Sequence, residues 1–212
     1  MVERRRVGIF GGTFDPPHVA HVVLAAAAID QLDLAELIVT VAGVPWQKVG
    51  SRTISGNDER LRMCETVFAE VEGATVSDLE MRREGNSYTI DTLEHFADED
   101  VELFLILGSD TAAGLDTWER YEEIADLATI AVFERRGYED ARPPASFSWI
   151  EVDLPGLEIS STDIRNRASQ GRPIVGLVPP AVRETIESEK LYFGAQHSES
   201  QHSESQHKSA DR

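Results

Sequence analysis

Two histidines set three residues apart close the stretch Gly8-Ile9-Phe10-Gly11-Gly12-Thr13-Phe14-Asp15-Pro16-Pro17-His18-Val19-Ala20-His21. Residues i and i+3 share a helix face, so His18 and His21 can point at one site. Each imidazole offers an N–H donor suited to a phosphate oxygen. Gly11 and Gly12 let backbone come close to such a ligand, and a helix start adds free N–H groups and the positive end of its dipole. The spacing is not the dinucleotide fingerprint G-x-G-x-x-G, and the G-K-[ST] of a P-loop is absent. Alone, the two glycines read equally as a tight structural turn. A zinc site asks for i, i+4 histidines with a glutamate, or for a third ligand, and only Asp15 is near. Apart from His95, these are the only histidines before residue 196, which favours phosphate contact.

A second stretch, Ile159-Ser160-Ser161-Thr162-Asp163-Ile164-Arg165, gathers hydroxyls, free N–H groups and a guanidinium at another helix start. That is a second anion site in its chemistry. By itself it reads as a capping motif with a surface arginine.

The elements that must position these groups alternate along the chain. Apolar runs predict strands over 7–10, 37–41, 75–79, 101–107 and 129–133, with a further strand over 148–152. A glycine turn after residue 10 leads to a helix over about 18–32; others are predicted over 58–71, 88–96 and 118–127. Ser160 opens a helix ending near Gly171, and a last helix spans about 180–190. Continuous hydrophobic strands separated by helices indicate a parallel sheet covered on both faces. The expected fold is therefore α/β, doubly wound and Rossmann-like, with a small C-terminal helical part. The loop after the first strand is where such a fold binds nucleotides.

At 212 residues the chain suits one domain, read as 1–194, followed by a low-complexity tail over 195–212 that is predicted to be disordered. A formal net charge of −18 argues against nucleic acid as a partner. No apolar run is long enough to cross a membrane, no secretory signal opens the sequence, and Cys64 is alone, so a cytoplasmic location is expected. Three lysines stand against seventeen arginines, and Lys48 is the sole lysine of residues 1–189.

Gly11-Gly12-Thr13-Phe14-Asp15-Pro16 followed by His18-x-x-His21 resembles the signature of the H-x-G-H nucleotidyltransferases, and residues 159–165 match that superfamily's I-S-S-T-x-I-R. The form GGTFDP and the chain length resemble nicotinate-nucleotide adenylyltransferases in particular, over about residues 5–193. The resemblance implies adenylyl transfer from ATP to nicotinate mononucleotide, with magnesium carried on ATP. It implies catalytic roles for His18, His21 and Lys48. It implies ATP contacts from Gly11, Gly12, Thr13, Phe14, Asp15, Gly108, Asp110, Ser161, Thr162 and Arg165. Ser87-Tyr88-Thr89 and Trp118 resemble the nicotinate site, Tyr88 and Thr89 at a helix start for the carboxylate and Trp118 stacked on the ring. Ser87 as an ordinary N-cap and Trp118 as core packing are the plain alternatives. Gly43-Val44-Pro45-Trp46-Gln47-Lys48 fits the family's substrate loop, in a form associated with actinobacterial members.

Two positions depart from the pattern. Ala20 replaces the motif glycine, and Arg135-Arg136-Gly137-Tyr138 replaces R-P-G-Y. An adenylyltransferase preferring nicotinamide mononucleotide and a non-catalytic nucleotide-binding regulator are the competing functions. The glycine spacing disfavours an oxidoreductase.

Overall fold

In chain order the elements are β1 (Arg5–Gly12), α1 (Val19–Gln31), β2 (Glu36–Val41), α2 (Asn57–Phe68), β3 (Ala74–Ser77), α3 (Leu79–Arg82) and α4 (Thr89–Phe96). They continue as β4 (Val101–Gly108), α5 (Ser109–Ala112), α6 (Tyr121–Leu127), β5 (Ala128–Phe133), β6 (Trp149–Val152), α7 (Ser161–Ser169) and α8 (Pro180–Ser188). The structure is a computed structural model that describes residues 4–43 and 54–193, apart from 136, 139 and 155. Trp46, Gln47, Lys48, Arg136 and the expected tail lie outside the described residues.

The six strands form one sheet in the order β3-β2-β1-β4-β5-β6, and every neighbouring pair is parallel. Strand order reverses between β1 and β4, which opens a crevice beyond their carboxyl ends. Gly12 ends β1 and Gly108 ends β4, so both glycines border that crevice.

Side-chain alternation divides the interior between the two faces. Val7, Ile9, Leu103, Leu105 and Leu107 join one cluster, which α4 and α6 cover through Ile90, Leu93 and Ile124. Phe10, Leu37, Val39, Phe104 and Ile106 face the other, covered by α1, α2, α7 and α8 through residues such as Leu24, Phe68, Ile164 and Ile186. The predicted doubly wound sheet and its C-terminal helices are present.

The local differences have physical causes. Gly11 and Gly12 do not turn; parallel pairing carries β1 on to them, opposite Thr40 and Val41. The third strand stops at Ser77, and Leu79 already begins α3. The helix expected from Trp118 starts at Tyr121, because Arg120 is left-handed (φ 52°) and breaks the helical path ahead of it.

Candidate active site

The reversal that the sequence assigned to glycines is made two residues later. Phe14 adopts φ 48°, and the Asp15–Pro16 peptide is cis. Gly12 leaves room for this: a Cβ there would sit 2.7 Å from the Phe14 ring. Phe14 is 3% exposed and packs edge-on against Phe10, Phe68 and His21, at 5.0 Å from the His21 ring. It supports an imidazole from behind.

His18 is the N-cap residue of α1 and His21 lies in its first turn. Their rings stack at 3.6 Å, 17° from parallel, so the i, i+3 spacing does place both on one site. The backbone N–H of His18 donates to Nδ1 of His21 at 3.1 Å. A neutral His21 therefore carries its hydrogen on Nε2 and offers that nitrogen as donor. Burial, then the nearby Arg135 guanidinium, lowers the His18 pKa to about 4. Its Nδ1 is buried with no hydrogen-bond partner among the described residues, a group that a ligand would satisfy.

The second motif lies directly against the first. Ser161 Oγ donates to the Pro16 carbonyl at 2.9 Å, and Arg165 Nη1 donates to the Asp15 carbonyl at 2.7 Å. Ser160 caps α7 by accepting from the Asp163 N–H at 3.1 Å. Thr162 is exposed and accepts from Arg165 Nη2 at 3.0 Å. Between the motifs opens a cavity of about 820 Å³, bordered by Gly11–Asp15, His18, Ala20, His21, Ser161, Thr162 and Arg165. Ala20, in place of the motif glycine, borders this space.

A smaller cavity of about 280 Å³ lies on the other side of the same wall. Tyr88, Thr89 and Trp118 line it, with Gly108 at the end of β4. Thr89 is the first residue of α4, so that helix start faces the cavity. Ser87 is not the cap: its hydroxyl accepts from the Gly43 N–H at 3.2 Å. Trp118 both lines the cavity and packs on the neighbouring core. Gly11, Gly12, Thr13, His21 and Arg135 border both cavities. Asp110 borders neither; its carboxylate accepts from Arg135 Nη1 at 3.2 Å.

Four residues of this region carried no assigned role in the sequence. Arg135 stands at the wall between the cavities. Glu80 is buried in the smaller cavity, where desolvation raises its pKa against the opposing effect of the Thr92 and Ser87 hydroxyls, Arg83 and the Thr40 hydroxyl. Tyr192 donates its hydroxyl to Asp15 Oδ1 at 2.7 Å. Arg60 is 1% exposed and reaches the Thr13 carbonyl. A signal existed for Arg60, which falls on the apolar stripe of α2 with Met63, Cys64 and Val67. Tyr192 and Glu80 had none, because tertiary folding alone brings them to the site.

The 3-2-1-4-5-6 parallel sheet carries both motifs at its switch point, and the cytidylyltransferase-like family model, matching residues 9–167, places the chain in the nucleotidyltransferase class. A probable nicotinate-nucleotide adenylyltransferase of Frankia alni is 43% identical over 188 residues, covering 86% of this chain and 97% of that protein. One from Clostridium botulinum (strain Eklund 17B / Type B) is 38% identical over 197 residues, covering 89% and 98%. Plasmodium falciparum nicotinic acid mononucleotide adenylyltransferase complexed with APC shares the fold at TM-score 0.73 and 20% identity, with 89% and 97% of the chains covered. The chain belongs to the nicotinate-nucleotide adenylyltransferase family.

Proposed function

We propose that this chain transfers the adenylyl group of ATP to nicotinate mononucleotide, giving nicotinate adenine dinucleotide and pyrophosphate. The observation that carries the reading is the joining of the two phosphate motifs, Arg165 on Asp15 and Ser161 on Pro16, around one large cavity that shares a wall with a smaller one. Family membership supports the acceptor.

An oxygen of the mononucleotide 5′-phosphate attacks the α-phosphorus of ATP. The new O–P bond forms as the bond to the β-phosphate oxygen breaks, and pyrophosphate leaves with the electron pair. Positioning and charge stabilisation supply the rate, with no covalent protein intermediate. ATP occupies the larger cavity, where Gly11, Gly12, Thr13, Phe14 and Asp15 shape the phosphate loop. Ser161, Thr162 and Arg165 hold the β- and γ-phosphates. His18 and His21 donate to the α-phosphate and leaving group, His21 from the shared wall. Gly108 shapes the smaller cavity at the end of β4, and Asp110 acts through its pairing with Arg135 rather than on the ligand directly. Thr89 and the α4 start receive the nicotinate carboxylate, with Tyr88 beside them and Trp118 against the ring. Lys48 supplies the remaining cation to the incoming phosphate. Arg135 neutralises charge where the two phosphates meet.

Among the described residues no group of three His, Cys, Asp or Glu side chains is placed to hold a metal ion. The Asp15 carboxylate already accepts from Tyr192. That donor set fits magnesium carried by the triphosphate with water as its other ligands, neutralising phosphate charge when bound.

Pyrophosphate release is the test, with ATP and magnesium against nicotinate and nicotinamide mononucleotides in parallel. Turnover with the acid form is expected. Preference for the amide reassigns the acceptor, and ATP binding without turnover makes the chain a nucleotide-binding regulator.

A further inference from the structure

A guanidinium at 1% exposure on the apolar face of a helix is costly unless its donors are satisfied. Those of Arg60 are spent on the start of its own helix and on two segments distant from it in the chain. Nη1 donates to the Thr13 carbonyl at 2.8 Å. Nη2 donates to Asn57 Oδ1 at 2.6 Å and to the Gly43 carbonyl at 3.4 Å, and Nε to the Ser55 carbonyl at 3.2 Å.

The carbonyls it selects belong to opposite sides of the site. Thr13 immediately precedes the left-handed Phe14 in the phosphate loop. Gly43 follows β2 and joins the acceptor side: its N–H donates to Ser87 Oγ at 3.2 Å, next to Tyr88 and Thr89. A Cβ on Gly43 would lie 2.5 Å from the Glu80 carbonyl oxygen, so backbone packs on backbone here. Tyr192 holds the far side of the phosphate loop through Asp15, across 177 residues of sequence. Tyr192 does so at φ 69°, a strained conformation for a residue with a Cβ.

We propose that Arg60 is a positioning residue of the adenylyl transfer. It locks the phosphate loop and the acceptor wall in one register, and Tyr192 clamps the loop from the other side. The inference rests on the proposed reaction, in which an oxygen and a phosphorus held by those two walls must approach within about 3–3.5 Å, and a misplacement of about 1 Å can cost roughly 10²-fold in rate.

Arg60→Lys keeps the charge but loses the planar fork that reaches several carbonyls, and Tyr192→Phe removes one hydroxyl while leaving the ring. The full chain is assayed for pyrophosphate release, with kcat expressed per folded molecule from circular dichroism. Both variants are expected to lose kcat, about 10–100-fold for Arg60→Lys and less for Tyr192→Phe, with KM for ATP and mononucleotide held within about threefold. A purely structural role would lower the melting temperature and leave kcat per folded molecule unchanged. A kcat within about twofold of wild type in either folded variant overturns the proposal, as does a loss confined to KM. Should Arg60→Lys not fold, Tyr192→Phe decides. Failure of the wild type on nicotinate mononucleotide would instead strike the reaction assignment, and the variants are then compared on whichever mononucleotide the wild type accepts.

Discussion

At the start of α1 the N-cap residue is a buried histidine, 6% exposed, whose ring nitrogen Nδ1 has no partner among the described residues. At the start of α7 it is Ser160, whose hydroxyl accepts the Asp163 N–H, while Asp163 pairs with Arg167 one turn on. Both helix starts face the same cavity. The second is complete as a capped helix and still presents Thr162 and Arg165. The first is a reciprocal capping box of His18 and His21 in which His18 Nδ1 makes no hydrogen bond of full geometry among the described residues, and it sits behind a left-handed phenylalanine. The two helix starts thus differ in how far their polar groups are tied into the fold, and substitution can break that difference.

The largest effect belongs to the histidines. His21→Ala should lower kcat by about 10²–10³-fold, the loss of one donor aimed at developing charge, with little change in melting temperature. Wild-type turnover in both His21→Ala and His18→Ala would erase the distinction between the helix starts.

Acid should expose the cost of keeping His18 uncharged. Its pKa falls from 6.5 to about 4 on folding, so the unfolded chain binds the proton first. Its contribution to stability is flat above pH 6.5 and is lost as pH drops through the interval down to 4, by about 3 kcal/mol in total. Urea unfolding at pH 7.5, 6 and 5 should show this slope in the wild type and a shallower one in His18→Asn.

Arg165→Ala removes the proposed phosphate ligand together with the hydrogen bond to the Asp15 carbonyl. A charged hydrogen bond is worth about 1.5–3 kcal/mol, so kcat/KM for ATP should fall by roughly 10–100-fold. Initial-rate kinetics at varied ATP would show it, and an unchanged value would leave Arg165 as scaffold only. Ser160→Ala should be mildest for catalysis: about 1 kcal/mol less stable through the lost cap, with kcat within about twofold. Paired thermal melts and turnover assays read both halves of that expectation.

The parallel sheet was legible because burial on both faces leaves continuous apolar strands, and the two motifs were legible because local spacing carries them. Their meeting was implied by the family resemblance, which assigns both motifs to one nucleotide, and the structure brings them together. The Phe14 reversal was hidden by the glycines, the more obvious turn formers, which instead serve as thin ends of β1 that leave space for a ring. The sequence pattern reads Trp118 into the helix, but its own backbone is extended and Arg120 is left-handed, so the helix opens only at Tyr121. Arg60 is a charge on an apolar stripe, but its carbonyl partners come from the connection after β1 and from both ends of the one between β2 and α2, which no local pattern joins. Tyr192 meets Asp15 only after the whole fold is wound.

Imidazoles lying face to face at 3.6 Å have room for one positive charge between them, since a second would be repelled across that gap. With His18 depressed to about 4, its ring enters neutral solution without one. A polyanion settling there would oppose the desolvation and the Arg135 charge that depress it, and favour uptake of hydrogen ions from the medium. Nucleotide capture by this protein should therefore be a weakly alkalinising event, and its calorimetric heat should change with the ionisation enthalpy of the buffer.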